Sequence, residues 1–219
     1  MNSLPRIKIC CIRDPAEARL AIQCGAAALG LVSAMPSGPG PIGEDEIAAI
    51  AAQVPPPVAS FLLTSLTDAG AIIAQQRRCR CNTLQLVDAV PAGIHAQLRA
   101  ALPGIALVQV IHVLDQGSVD EAEALAPHVD ALLLDSGNPR LAVKQLGGTG
   151  RVHDWRLSRQ IVERCSRPVF LAGGLRPDNV AEAIRQVRPF GLDLCTGVRT
   201  DGRLDAAKLA AFQRAVAAA

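Results

Sequence analysis

The chain has 219 residues, of which 50% are apolar and 19% are charged, and its 22 basic side chains nearly balance 20 acidic ones. This length is ample for a buried core, and the net charge of +2 provides no basic face that would bind nucleic acid. No apolar run approaches the ~18–20 residues that span a membrane, and seven cysteines without framework spacing indicate reduced thiols in a cytoplasmic protein.

Short aliphatic runs alternate with Ala-rich stretches from one end of the sequence to the other. The apolar runs are continuous rather than alternating with polar residues, which is typical of strands covered on both faces in a parallel sheet. Eight strands are predicted in this way, at Ile7–Cys11, Ala28–Ser33, Val58–Thr64, Thr83–Leu86, Ile105–His112, Ala131–Leu134, Pro168–Leu171 and Leu192–Cys195.

A helix is predicted after each strand, and Asp14-Pro15 gives the first of them a capping residue followed by a proline. The others are Glu44–Gln53, Asp68–Arg78, Ala92–Ala101, Val119–Ala126, Trp155–Glu163, Asp178–Gln186 and Ala206–Ala217. Strand–helix alternation implies parallel pairing with right-handed crossovers. Eight such units therefore predict a single α/β domain over residues 1–219, a (β/α)8 TIM barrel.

The active site of such a barrel lies where the strands end and the following loops begin. Cys10 lies at the end of the first strand and Asp135 follows the sixth, while glycines are bunched after each of the last three strands. Glycines at these ends let backbone N–H groups approach a phosphate, although tight turns with positive φ are the alternative explanation. The predicted phosphate ligands are Gly148, Thr149, Gly173, Gly174, Gly197 and Val198.

Motifs along the whole chain resemble the phosphoribosylanthranilate isomerase family. They include Lys8-Ile9-Cys10, Leu84-Gln85-Leu86, Leu132-Leu133-Leu134-Asp135-Ser136, Gly147-Gly148-Thr149-Gly150, Leu171-Ala172-Gly173-Gly174-Leu175 and Arg188-Pro189-Phe190-Gly191. The resemblance implies an Amadori rearrangement of N-(5-phosphoribosyl)anthranilate, a step of tryptophan biosynthesis, with Cys10 as base and Asp135 as acid. It implies no cofactor, makes Lys8 and Gln85 further candidates for the site, and leaves monomer and homodimer both open.

The sequence departs from the family in the loop after the second strand, where the family's Ser-Pro-Arg-Tyr places an Arg on the substrate carboxylate. Residues 36–41 read Pro-Ser-Gly-Pro-Gly-Pro, and no Lys or Arg occurs between Arg19 and Arg77. A bidentate Arg–carboxylate contact is not replaced by Pro or Gly. Cys11 replaces the usual Gly after the base, Val87-Asp88 replaces His-Gly, and Arg199 replaces a Glu.

Two functions are compatible with these departures. One is the isomerase itself, holding the carboxylate through Arg13 or Arg140. The other is a paralogue that retains the acid, the base and the phosphate site but isomerises, or only binds, a different phosphosugar. Arg199 would serve the phosphate or a new anionic group.

A metal site is not expected. Cys10-Cys11 and Cys79-Arg80-Cys81 offer thiols, but a structural zinc needs four ligands, and the four histidines are scattered along the sequence.

Overall fold

The structure is a computed structural model that describes residues 4–148 and 150–219. Within these residues, eight parallel strands close into a barrel in sequence order, with the last strand paired to the first. The strands are β1 (Arg6–Ile9), β2 (Ala28–Val32), β3 (Ala59–Thr64), β4 (Thr83–Leu86), β5 (Ala106–His112), β6 (Ala131–Asp135), β7 (Val169–Leu171) and β8 (Gly191–Leu194). The predicted (β/α)8 barrel is confirmed.

Eight helices surround the barrel in the same described residues. They are α1 (Pro15–Gln23), α2 (Glu44–Ala51), α3 (Ala69–Cys79), α4 (Ile94–Ala101), α5 (Gly117–Leu125), α6 (Trp155–Arg164), α7 (Val180–Val187) and α8 (Ala206–Ala217). Asp14 caps α1 as predicted, since its side chain accepts a 2.8 Å hydrogen bond from the Glu17 amide. No helix in the described part of the chain is long and apolar enough to cross a membrane.

The predicted start of α7 at Asp178 is two residues early. Asn179 precedes the helix, but its side chain does not cap it. The side-chain NH₂ donates to the Gly174 carbonyl at 3.0 Å, and the side-chain oxygen accepts from the Arg176 N–H at 2.8 Å. These two hydrogen bonds hold the loop after β7, which lies at the mouth of the barrel.

Two apolar clusters divide the interior. The larger lies between the strands and the helices, and the smaller fills the barrel itself around Phe61, Leu63, Val110, Leu133 and Phe170. Since successive side chains of a strand point to opposite faces, every second residue of a strand enters the barrel. The alternation thus brings polar side chains inside as well, among them Lys8 and Asp193.

A short hairpin that the sequence analysis did not predict lies between β8 and α8. A single 3₁₀ turn at Thr196–Val198 is followed by β9 (Arg199–Thr200) and β10 (Arg203–Leu204), which pair antiparallel. Strands of two residues are too short to show a hydrophobic period. The hairpin carries Arg199 back toward the end of β1.

Candidate active site

The carboxyl ends of the strands surround an open cleft of about 750 Å³. The predicted site residues that line it are Cys10, Gln85, Asp135, Gly148, Gly173, Gly174 and Gly197. Val198 is fully buried against the outer core, so its side chain is not available to a ligand. Thr149 lies outside the described residues.

Cys10 is the first residue beyond β1 and faces the barrel interior. Its N–H donates to the Leu194 carbonyl at 2.7 Å, and its side chain is 6% exposed. On the neighbouring strand, a Cβ at Gly30 would lie 2.8 Å from the Cys10 sulfur and 3.1 Å from Lys8 Nζ. Glycine at that position therefore provides the space into which the thiol and the ammonium group fit.

Cys11, the next residue, has a left-handed backbone with φ 62°. This conformation favours glycine, and the family pattern has a glycine here. Hydrogen bonding to the thiols of Cys10 and Cys195, together with burial, raises the pKa of Cys11 well above its ordinary value. The hydrogen bond from Cys11 in turn lowers the pKa of the Cys195 thiol, and the nearby charge of Arg199 contributes to this. Cys11 is thus a neutral donor beside Cys10.

Asp135 ends β6, three strands around the barrel from β1. Burial raises the pKa of this carboxyl to about 6, against hydrogen bonds from Ser136, and the charge of Asp193 raises it further. The Ser136 N–H donates to Asp135 Oδ1 at 2.6 Å, and a Cβ at Gly147 would lie 2.6 Å from Oδ2. A carboxyl with this pKa carries its proton at mildly acidic pH and can donate it to a substrate oxygen.

Lys8 and Asp193 form an ion pair one layer below Cys10. Their Nζ and Oδ1 atoms are 2.9 Å apart, and β1 and β8 place the two residues directly opposite each other. Burial acts against the charged ammonium, but the charge and hydrogen bond of Asp193, together with Cys10 and Cys11, outweigh it and hold the pKa of Lys8 above its ordinary value. Lys8 is fully buried and Asp193 lines the cleft, so the pair forms a charged floor.

Asp193 was not among the predicted site residues. Its signal in the sequence is a carboxylate between two leucines in the middle of a buried strand, Leu192-Asp193-Leu194. A buried carboxylate needs a partner, and the partner here lies 185 residues earlier in the chain. Thr196, which also lines the cleft, was missed because a threonine in a glycine-containing turn gives no signal of its own.

The glycine-rich loops after β6, β7 and β8 approach one another closely. A Cβ at Gly174 would lie 2.8 Å from the Gly150 carbonyl oxygen, and one at Gly173 would lie 3.1 Å from the Ser136 hydroxyl. A Cβ at Gly197 would overlap the carbonyl of Leu175. Side chains at these positions would separate the loops. The backbone itself therefore forms this wall of the cleft, as a phosphate site of the type predicted requires.

The loop of residues 36–41 forms the opposite wall of the cleft and extends across its mouth. The Ser37 hydroxyl donates to the Lys144 carbonyl at 2.6 Å, and a Cβ at Gly148 would overlap the ring of Pro39. Lys144 Nζ in turn lies 2.5 Å from Asp88 Oδ2. Lys144 thus connects two segments that depart from the family pattern, the loop of residues 36–41 and Asp88.

The three arginines considered as anion ligands are placed differently from one another. Arg140 forms an exposed ion pair with Asp115 at 3.2 Å and does not line the cleft, and Arg199 is buried against Glu17, its charge already neutralised. Neither placement supports a role in holding the substrate. Arg13 lines a second cleft of about 680 Å³ next to the first, together with Pro39 and Gly40, and Arg199 also lines it but is paired with Glu17. Of the described residues that line the main cleft, none is Lys or Arg.

The described residues contain no group of three or more His, Cys, Asp or Glu side chains placed to hold a metal ion. The described lining of the cleft offers a thiol, a carboxyl whose pKa is raised to about 6, and backbone amides. This combination suits proton transfers on a small phosphorylated substrate.

Comparison with known proteins identifies the family. Residues 7–215 match the family model described as N-(5'phosphoribosyl)anthranilate (PRA) isomerase. The N-(5'-phosphoribosyl)anthranilate isomerase of Methanocella arvoryzae is 34% identical over 200 residues, covering 91% of this chain and 92% of the relative. The protein named N-(5'-phosphoribosyl)anthranilate isomerase 2 of Methanosarcina mazei is 36% identical, covering 94% and 92%. The crystal structure of the Thermotoga maritima isomerase superposes with a TM-score of 0.82 at 26% identity, covering 98% of this chain and 100% of that one. The chain belongs to the N-(5'-phosphoribosyl)anthranilate isomerase family.

Proposed function

We propose that the chain isomerises N-(5-phosphoribosyl)anthranilate to 1-(2-carboxyphenylamino)-1-deoxyribulose 5-phosphate, with Cys10 as the base and Asp135 as the acid. The observation that carries the proposal is that the two side chains line one cleft from well-separated strands of the barrel, in a member of this family. A sugar held between them would present different atoms to each.

The proposed reaction consists of proton transfers that need no redox partner. Asp135 gives its proton to the ribose ring oxygen while the C1–O bond breaks, and the nitrogen lone pair forms the C1=N bond of a protonated Schiff base. Cys10, as thiolate, removes the proton from C2. The C2–H electrons form a C1=C2 bond and neutralise the nitrogen. Tautomerisation of this enol then gives the ketose, because C1 gains a proton and the C2 hydroxyl loses one. Proton exchange with solvent returns Cys10 to the thiolate and Asp135 to the acid.

The electrostatics of the cleft support the assignment of acid. The pKa of about 6 at Asp135 allows it to hold a proton close to neutral pH and to release it without a large energy cost. Of the Lys8–Asp193 pair beneath, the charge of Asp193 raises the pKa of Asp135 more than the charge of Lys8 lowers it. The substrate phosphate would bind to the backbone of Gly148, Gly173, Gly174 and Gly197.

The carboxylate of the substrate is the part for which the cleft is least suited. The main cleft has acidic side chains and no basic ones among its described lining residues. Arg13 is the best candidate partner, because its cleft adjoins the first at Pro39, in the loop where the family places its Arg. Its Nη1 currently donates only a 3.3 Å hydrogen bond to the Gly202 carbonyl and is exposed to solvent.

The lack of Lys and Arg among the described residues that line the main cleft favours a second candidate function. A phosphosugar amine without a carboxylate would fit a main cleft that offers no cation, while using the same acid, base and phosphate site. Such a substrate avoids the cost of burying an unpaired carboxylate.

Steady-state kinetics on purified protein test both functions. We expect turnover of N-(5-phosphoribosyl)anthranilate generated in situ, abolished in Cys10→Ser and Asp135→Asn and weakened chiefly through KM in Arg13→Gln. The aniline analogue, which lacks the carboxylate, is the matched second substrate. A higher kcat/KM for the aniline compound would favour the second function, and full activity in both Cys10→Ser and Asp135→Asn would refute the mechanism.

A further inference from the structure

Arg199 lies beneath the backbone of Cys10 and Cys11. Its Nη2 donates to the carbonyl oxygen of Cys11 at 2.6 Å and to that of Cys10 at 3.2 Å. In a regular strand, successive carbonyls point in opposite directions. The left-handed backbone of Cys11 breaks this alternation, which allows one guanidinium nitrogen to hold two consecutive carbonyl groups.

Glu17 fixes the position of this guanidinium. Arg199 Nη1 lies 2.9 Å from Glu17 Oε1, and the two side chains are only 7% and 10% exposed. The carboxylate also accepts hydrogen bonds from the N–H groups of Arg13, at 3.2 Å, and Leu204, at 3.0 Å. The pair therefore ties the end of β1, the helix α1 and the hairpin into one unit, with the Cys10 peptide at its centre.

The left-handed conformation is costly for a residue with a side chain. It disfavours a non-glycine residue by about 5- to 30-fold in an equilibrium constant, and a glycine at position 11 would avoid this cost. The two departures from the family pattern, Cys11 and Arg199, are in direct hydrogen-bond contact. The hydrogen bonds from Arg199 compensate for the cost of the left-handed backbone at Cys11.

We propose that Arg199, held by Glu17, is a positioning residue that maintains the left-handed turn at Cys11 and thereby aims the Cys10 thiol at the substrate. The proposal rests on the proposed function in taking Cys10 as the base. It gives the buried ion pair a role in catalysis without contact to substrate.

A double-mutant cycle between Arg199→Gln and Cys11→Gly tests the proposal. Displacing a reacting group by about 1 Å can cost about 100-fold in rate, so we expect Arg199→Gln alone to lower kcat by at least about tenfold and to change KM much less. In the Cys11→Gly background the loss should shrink to about threefold or less, because coupling of contacting residues spans this range. Arg78→Gln, which removes an ion pair with Glu44 on the outer face, is the matched control and should leave kcat unchanged.

Urea unfolding of wild type, the two single variants and the double variant measures how much Arg199 stabilises the turn, without any substrate. We expect Arg199→Gln to raise the unfolding equilibrium constant less in the wild-type background than with Gly at position 11, by about five- to tenfold, because relaxation of the costly left-handed turn at Cys11 offsets part of the loss. Equal effects in both backgrounds, on kcat or on unfolding, would overturn the proposal. If wild type does not turn over N-(5-phosphoribosyl)anthranilate, the proposed function fails, and the unfolding cycle alone decides whether Arg199 holds the turn.

Discussion

Replacing Asp135 by Asn should stabilise the protein at neutral pH while it removes the proposed acid. Burial raises the pKa of Asp135 from 3.8 to about 6. Between these values the native state keeps a proton that the unfolded state has lost. The contribution of Asp135 to the free energy of unfolding therefore falls as the pH rises from about 3.8 to about 6. At about 1.4 kcal/mol per pH unit, the rise in pKa corresponds to ~3 kcal/mol lost above pH 6.

Urea unfolding of wild type and Asp135→Asn from pH 4.5 to 7.5 measures this effect. The amide cannot ionise, so the stability difference, Asn variant minus wild type, should increase by ~2 kcal/mol over this range, the remainder lying below pH 4.5. All other titrating groups are shared and cancel. The same substitution at Asp178, whose side chain is 72% exposed, is the control for the effect of removing a surface carboxylate on the free energy of unfolding. A difference for Asp135→Asn that does not change with pH would refute the reasoning.

Three further predictions concern the walls and floor of the cleft. Arg in place of Pro39 should lower KM for N-(5-phosphoribosyl)anthranilate by about tenfold, within the ~1.5–3 kcal/mol of a charge-assisted hydrogen bond, and an unchanged KM would show that the carboxylate lies elsewhere. Gly197→Ala should weaken inhibition by inorganic phosphate, because its Cβ would overlap the Leu175 carbonyl, whereas Gly43→Ala, with its nearest atom at 3.4 Å, should not. Lys8→Met should cost ~3–5 kcal/mol in urea unfolding by leaving a buried carboxylate unpaired, and adding Asp193→Leu should recover most of it. A double variant no more stable than the single would contradict this account of the pair.

The fold was predictable because its signals are local. Continuous apolar runs mark strands covered on both faces, and capping residues such as Asp14 mark helix starts within a few residues. The two-residue strands of the hairpin carry no such period. The start of α7 was misplaced because Asn179 bonds to the glycine loop instead of capping the helix, a choice made by tertiary structure.

The candidate site was predictable to the extent that position along a strand decides it. Cys10 and Asp135 were expected at the mouth because they lie at strand ends, and both line the cleft. The partners of charged residues could not be read in the same way. Arg199 pairs with Glu17, 182 residues away, so its charge looked available for an anion when it was already neutralised.

The measurement that tests the central claim most directly is a crystal structure with a reduced, non-reactive form of the ketose product. We predict that its phosphate lies against the backbone of Gly148, Gly173, Gly174 and Gly197, with the sugar between the Cys10 sulfur and the Asp135 carboxyl. Contact of the Cys10 sulfur with C2 and of the Asp135 carboxyl with the oxygen that closes the ring would agree with the assigned roles. A phosphate bound outside the glycine loops, or a sugar that touches neither Cys10 nor Asp135, would contradict the account.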